Sequence, residues 1–268
     1  LQGIDVALTE AAIGSGLTGA LLIGAASRLR HSEAAGAAES PSATTRALAA
    51  ALSALVALTL AVCVLLLPDP APTLAPEVMR NIGATGVENP ITAVLLGFRA
   101  LDTLLEAIVL VFALLGVWSL APDRSWGGRP GRMRQPAQPD GMLAYAARLL
   151  PPLGVVVASY IFWIGADQPG GKFQGATILA AMWLLVLMAG LADAPPIGRR
   201  SVRLLLVAGP LAFGAVGAFG LLAAGAFLAY PQAWAKPLIL VVEFALMPTL
   251  TLVLGLLLLG PPQRGRPK

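Results

Sequence analysis

The sequence predicts an all-α fold: a polytopic transmembrane bundle of about seven helices. Three observations predict it. Hydrophobic residues make up 57% of the 268-residue chain and charged residues only 12%, with a mean hydropathy of +0.80. Soluble domains carry about 25% charged residues, so this chain has too few charges to cover a surface exposed to water. The apolar residues fall in continuous runs of about 20 rather than in strict alternation, which favours helices that satisfy their own backbone groups in lipid over a barrel. Finally, the basic residues gather between alternate runs.

The apolar runs lie at 6–27, 47–67, 91–118, 143–164, 173–192, 202–229 and 237–259. Arg28, Arg30 and Arg46 separate runs one and two. Arg124, Arg129, Arg132, Arg134 and Arg148 lie between or beside runs three and four. Arg199, Arg200 and Arg203 separate runs five and six, and Arg264, Arg266 and Lys268 follow run seven. If seven helices alternate, all four clusters fall on one side, and the other side receives only Arg80, Lys172 and Lys236. Positive residues are retained in the cytoplasm. The sequence therefore predicts a multi-pass protein of a bacterial-type inner cell membrane with Leu1 outside and the C-terminus cytoplasmic. This distribution also explains the net charge of +4 without a nucleic-acid partner.

Run one contains Asp5 near its outer edge, then Thr9 and Glu10 beside Gly14 and Gly16, which permit close helix approach. Glu10 reads either as an interfacial carboxylate or as part of an ion path. Run two holds the one cysteine, Cys63, which excludes a disulfide framework within the chain and a Cys-based metal site. The one histidine, His31, sits in a polar linker and reads as a solvated loop residue. The linkers at 31–45 and 121–140 have disordered-looking composition. They divide the chain into blocks of one, two and four spans, as in a fusion of smaller membrane units, with no internal repeat.

Run three carries Arg99, Asp102 and Glu106, spaced by three and four so that they share one helical face, with Thr92 and Thr103 on or beside it. Ionisable groups inside a span usually face protein or a wet cavity. One reading is an internal Arg99–Asp102 ion pair that locks helix packing. The other makes Glu106, one turn deeper, a proton or cation relay tuned by that pair. The segment 165–175, Gly-Ala-Asp-Gln-Pro-Gly-Gly-Lys-Phe-Gln-Gly, lacks the preceding strand and the Lys-Ser/Thr of a phosphate loop. Its Pro169, Gly170, Gly171 and Gly175 read as a tight external turn joining runs four and five. A partner surface could use the same turn. Run six is rich in Gly and Ala and carries Pro210, a helix built for packing. Run seven holds Glu243 and, in its interior, Pro248, which frees a carbonyl. Glu243 reads equally as a third relay carboxylate or as a partner for another subunit.

Three stretches resemble known units. Residues 3–14, Gly-Ile-Asp-Val-Ala-Leu-Thr-Glu-Ala-Ala-Ile-Gly, resemble the last helix of a small membrane unit of Mrp-type multisubunit cation/proton antiporters, with relatives in membrane-bound energy-converting hydrogenases. Residues 89–106, with Asn89, Thr92, Phe98-Arg99, Asp102-Thr103 and Glu106, resemble the neighbouring unit. Residues 165–175, with Pro169-Gly170-Gly171 and Phe173-Gln174-Gly175, resemble the four-helix B-type domain of these antiporters. The three occur in the family's gene order. There are departures: the family commonly has an acid where Gly97 stands, Gly where Ala100 and Leu105 stand, often His where Ala166 stands and Gly where Lys172 stands.

The resemblance implies three units, 1–30, 46–120 and 141–260, in an accessory subunit of a multisubunit Na+/H+ antiporter. It implies large complex I-like antiporter subunits and other small subunits as partners, and Na+ and H+ as the transported ions. It places Glu10, Arg99, Asp102 and Glu106 near a lateral ion path. It also implies two upstream helices in the first unit, so residues are expected before Leu1. The alternative is a membrane-arm subunit of an energy-converting hydrogenase or another complex I-related redox enzyme. The chain shows no nucleophile–base pair, metal-ligand cluster or nucleotide motif, so neither an enzymatic centre nor a cofactor is expected of it.

Overall fold

The computed structural model describes residues 4–11, 14, 18–19, 22, 42–68, 73–131 and 141–263. Gly16, His31, Arg28, Arg30, Arg132, Arg134, Arg264, Arg266 and Lys268, the Asp5 side chain, and most of the first linker lie outside the described residues. The chain packs as two units, residues 22–77 and residues 1–21 with 78–268.

The smaller unit is built on α2 (Ala43–Leu65), which follows a short first helix, α1 (Ile4–Thr9), that belongs to the larger unit. Ser42 caps α2, its hydroxyl accepting from the Thr45 N–H at 3.1 Å. The helix is apolar all round and none of its residues is buried. Such a helix suits lipid rather than a soluble core.

The unit boundary falls within α3 (Ala75–Asn81), and the larger unit continues with α4 (Ala100–Ser119), α5 (Met142–Ile164), α6 (Lys172–Met188), α7 (Arg200–Ala224) and α8 (Ala235–Leu259). Among the described residues, five helices are long and apolar enough to cross a membrane: α2, α4, α5, α7 and α8 with its leading turn, with the shorter apolar α6 beside them. The molecule is a polytopic transmembrane bundle. The centre of the larger unit is α8, which is packed against α4, α6 and α7. Ile239, Val242, Leu246, Leu250, Val253 and Leu256 are each at most 1% exposed. Their spacings of three and four put one continuous stripe of α8 against its neighbours.

The structure departs from the expected spans in two places. Run three is not one helix. After a turn at Pro90–Thr92 the chain widens into a π-helix over Ala93–Phe98, leaves helical geometry at Arg99 (φ −127°, ψ 37°) and restarts as α4. The Leu95 carbonyl, within this broken stretch, accepts the Thr103 hydroxyl at 2.6 Å. Run six is shorter than its apolar pattern. Helix α7 stops at Ala224, with Gly225 at φ 79°, and residues 225–229 fold back on it. Leu228 is buried and donates its N–H to the Gly217 carbonyl at 3.2 Å. A returning loop that buries apolar side chains has the composition of a span without its geometry.

Part of the second linker is also ordered, despite its composition. Residues 121–131 turn back along the end of the bundle. β1 (Arg129–Pro130) pairs antiparallel with β2 (Pro262–Gln263), and Ile197 and Gly198 donate to the Gly128 and Gly127 carbonyls at 2.9 and 3.1 Å. Arg129 Nη1 meets Asp193 Oδ2 at 2.6 Å. This collar ties the ends of α4, α6 and α8 together.

Candidate functional site

The turn between α5 and α6 is built by two adjacent glycines and anchored by residues far away in sequence. Gly170 (φ +155°) and Gly171 (φ +140°) adopt conformations that L side chains rarely reach. A Cβ on Gly170 would also strike the Ile161 carbonyl. Pro169 is exposed on the outer side of the turn, and Gly175 lies close enough to the Ala158 carbonyl that a Cβ there would stand 3.0 Å away.

The segment before the π-turn holds this loop. Glu88 and Asn89 donate their N–H groups to the Ala166 carbonyl, and the buried Asn89 amide donates to the carbonyls of Gly165 at 3.1 Å and Gln168 at 2.9 Å. The Thr92 hydroxyl donates to the same Gly165 carbonyl at 2.6 Å. On the outer face, Lys236 Nζ pairs with both oxygens of Asp167 at 2.7 and 2.8 Å.

Behind this turn is a cavity of about 450 Å³. Its wall includes Glu10 and Thr9 of the first segment, Glu106 of α4, Lys172 and Gln174 of α6, and Glu243 of α8. Gln174 Nε2 donates to Thr9 Oγ1 at 2.9 Å, which fastens α1 to the start of α6. Lys172 and Glu243 are 4% and 2% exposed, with Nζ and Oε1 3.7 Å apart. That distance gives Coulomb attraction but exceeds a hydrogen bond. Glu243 Oε2 is buried without a hydrogen-bond partner among the described residues. Breaking a pair this buried by removing one partner costs about 3–5 kcal/mol, yet the intact pair adds little stability over apolar side chains of similar size.

The residues singled out in the sequence separate into two places. Glu10, Glu106 and Glu243 reach the cavity, the first two from exposed positions at its rim. Arg99 and Asp102 do not reach it. They form an ion pair of their own at 2.6 Å, with side chains 70% and 54% exposed on the surface of this chain. The common helical face expected for Arg99 is absent because Arg99 sits at the break before α4 rather than within a helix. Within this chain, neighbouring helices do not enclose Asp102.

Lys172 does not stand out in the sequence as a site residue. Its position in a Gly-rich external turn suggests a solvated cation, whereas the fold turns it inward at the first residue of α6. The available signal is its occurrence beside two glycines where the resembled family has glycine. Among the described residues no three His, Cys, Asp or Glu side chains converge as a metal site.

Residues 142–260, spanning α5 to α8, match the family of domains related to the MnhB subunit of Na+/H+ antiporter. The structure resembles a chain of the Mrp complex from Dietzia sp. with a TM-score of 0.68 at 24% identity, over 100% of this chain and 31% of that one. The chain thus spans about a third of the Dietzia chain. It also resembles a chain of the membrane-bound sulfane sulfur reductase, an archaeal respiratory membrane complex, with a TM-score of 0.59 at 22% identity, over 80% of this chain and 98% of that one. No curated protein sequence matches it. The two structural likenesses establish the fold, and the family match covers residues 142–260, from α5 to α8.

Proposed function

We propose that the chain is an accessory membrane subunit of a multisubunit Na+/H+ antiporter complex, contributing to assembly and to the path of ions or protons. The observation that carries this is the cavity under the 165–175 turn, where the MnhB-related domain brings Lys172 and Glu243 together with Glu10 and Glu106 from outside that domain. Buried charge that adds little stability is retained most readily where it handles ions. Glu243 and Glu106 are assigned the relay role, Glu10 the mouth of the path, and the Arg99–Asp102 pair a surface role towards a neighbouring subunit. Residues 1–30, 46–120 and 141–260 are read as one-, two- and four-helix units joined in one chain, with Leu1 outside and the C-terminus cytoplasmic. Sibling subunits supply the main ion channels in this reading, and the chain has no catalytic centre of its own.

The test replaces Glu106 with Gln and measures antiport in everted vesicles, with assembly of the complex checked alongside. Antiport is expected to fall severalfold while the complex remains intact, and undiminished antiport rejects the relay role.

One observation favours a second reading, a membrane-arm subunit of a redox complex. The archaeal sulfane sulfur reductase chain is covered almost end to end. Affinity purification decides between the two: redox subunits recovered with the chain favour the second, and antiporter subunits alone favour the first.

A further inference from the structure

We infer that Lys172 is a specificity determinant: its ammonium group fills, as a tethered ion, the seat beside Glu243 that a monovalent metal cation would otherwise occupy. The cavity of this chain then handles protons and excludes alkali cations, and a neutral residue at 172 opens it to them. This inference rests on the reading of the cavity as part of an ion path.

The seat is defined by geometry. Lys172 Nζ and Glu243 Oε1 face each other at 3.7 Å inside the cavity, both side chains being almost fully buried. Glu243 still has one buried oxygen without a hydrogen-bond partner among the described residues, so the carboxylate has unused capacity for a cation. The Gln174 side chain points to the same place. A Cβ built on Gly171 would lie 3.4 Å from Gln174 Oε1 and 3.8 Å from Glu243 Oε1, so both oxygens flank one point of the backbone. Gln174 is held in that orientation because its amide nitrogen is committed to Thr9.

One carboxylate with neutral oxygens suits a single positive charge. Divalent cations take several carboxylates or carbonyls, and no convergent set of three acidic or metal-binding side chains is found among the described residues. Lys172 supplies that single charge from within the chain. The Lys172 ammonium also stands 5.9 Å from the Phe173 ring centroid, a weak cation–π contact, but the construction of the turn itself does not require a lysine. The special backbone angles belong to Gly170 and Gly171, and the anchoring bonds come from Asn89 and Thr92.

A binding measurement on the purified complex tests this separately from transport. Lys172→Gln and Lys172→Met are compared with the unsubstituted protein by thermal unfolding in NaCl against N-methylglucamine chloride at equal ionic strength. A cation that binds only the folded state raises its melting temperature in proportion to the logarithm of concentration once binding saturates. Both neutral variants are expected to gain a Na+-specific rise in melting temperature and a saturable site of one 22Na+ per chain. The unsubstituted protein and the Lys172→Gln/Glu243→Gln double variant are expected to lack this additional site and rise, whatever Na+ the sibling subunits bind. Glu243-dependent Na+ binding in the unsubstituted protein overturns the inference, as does the absence of a Na+ effect in both folded neutral variants. Failure of both neutral variants to assemble also overturns it, because Lys172 would then be a structural counter-ion. Failure of the ion-path reading appears elsewhere, as undiminished antiport when Glu106 is changed.

Discussion

The hydroxyl of Thr249, on α8, is inserted into the hydrogen-bond ladder of α7: it accepts the Gly209 N–H at 3.0 Å and donates to the Leu205 carbonyl at 2.7 Å. Leu205 and Gly209 are four apart, so in an undisturbed helix they would bond to each other. Pro210, next in the chain, supplies no N–H of its own. A side chain from the neighbouring helix thus completes α7 at its weakest point, and Gly209 leaves room for it, since a Cβ there would stand 2.8 Å from Thr249 Oγ1.

Replacing Thr249 with Val keeps the shape and removes the bridge. Thr249 is 1% exposed, so water cannot take over its bonds, and the loss is expected to cost about 1–3 kcal/mol. Thr249→Ser retains the hydroxyl and is expected to recover most of it. Thermal unfolding in detergent checks both variants. Equal stability of Val and unsubstituted protein would show that α7 closes its own ladder when the hydroxyl is removed.

Asn89 makes a second long-range connection, from the segment before α4 to the carbonyls of Gly165 and Gln168. Both acceptors lie in the turn that roofs the cavity. Asn89→Ala leaves the Gln168 carbonyl to find another donor, while the Gly165 carbonyl keeps the Thr92 hydroxyl, at a site where Asn89 is 3% exposed. The expected destabilisation is about 1–3 kcal/mol, with faster proteolysis within 165–171 than elsewhere in the chain. Limited digestion followed by mass spectrometry reads that pattern, and uniform loss of resistance would argue for global unfolding instead.

The architecture was legible because lipid simplifies the code. Long apolar runs and one-sided arginines expose the spans without knowledge of their contacts, and the predicted segments at 143–164 and 237–259 differ by two residues or fewer from α5 and α8 at each end. What escaped depends on partners distant in the chain. Thr249 is an ordinary residue in an apolar run until Pro210 is placed beside it. Lys172 reads as an external cation until the Gly170–Gly171 turn points it at Glu243. Asp102 and Glu106 do lie one turn apart on α4, but a common face with Arg99 assumes an unbroken helix, and the chain leaves helical geometry at Arg99.

In the orientation proposed above, two of the cations assigned to the outer side are not free. Burial of Lys172 removes it from the outer surface, and Lys236 there is paired with Asp167. In a Cys63→Ser background, a membrane-impermeant maleimide is expected to label Gln168→Cys in right-side-out vesicles and Asp123→Cys only in everted ones. The opposite pattern would invert the topology.

Tyr230 lies in the loop between α7 and α8, outside the spans, with its hydroxyl buried and without a hydrogen-bond partner among the described residues. Burial pushes its phenol pKa up from 10.0 to about 12. The folded chain then holds this proton to higher pH than the unfolded chain does. The contribution to stability is complete below pH 10 and is lost as the pH rises to 12. Tyr230→Phe removes both the titration and an unpaired hydroxyl, so stability at pH 7 is expected to be unchanged or higher by up to about 1 kcal/mol. The variant's alkaline unfolding curve should be flatter between pH 10 and 12 than that of the unsubstituted protein. A loss of more than about 1 kcal/mol at neutral pH would instead mean that the hydroxyl has a partner once the chain is assembled.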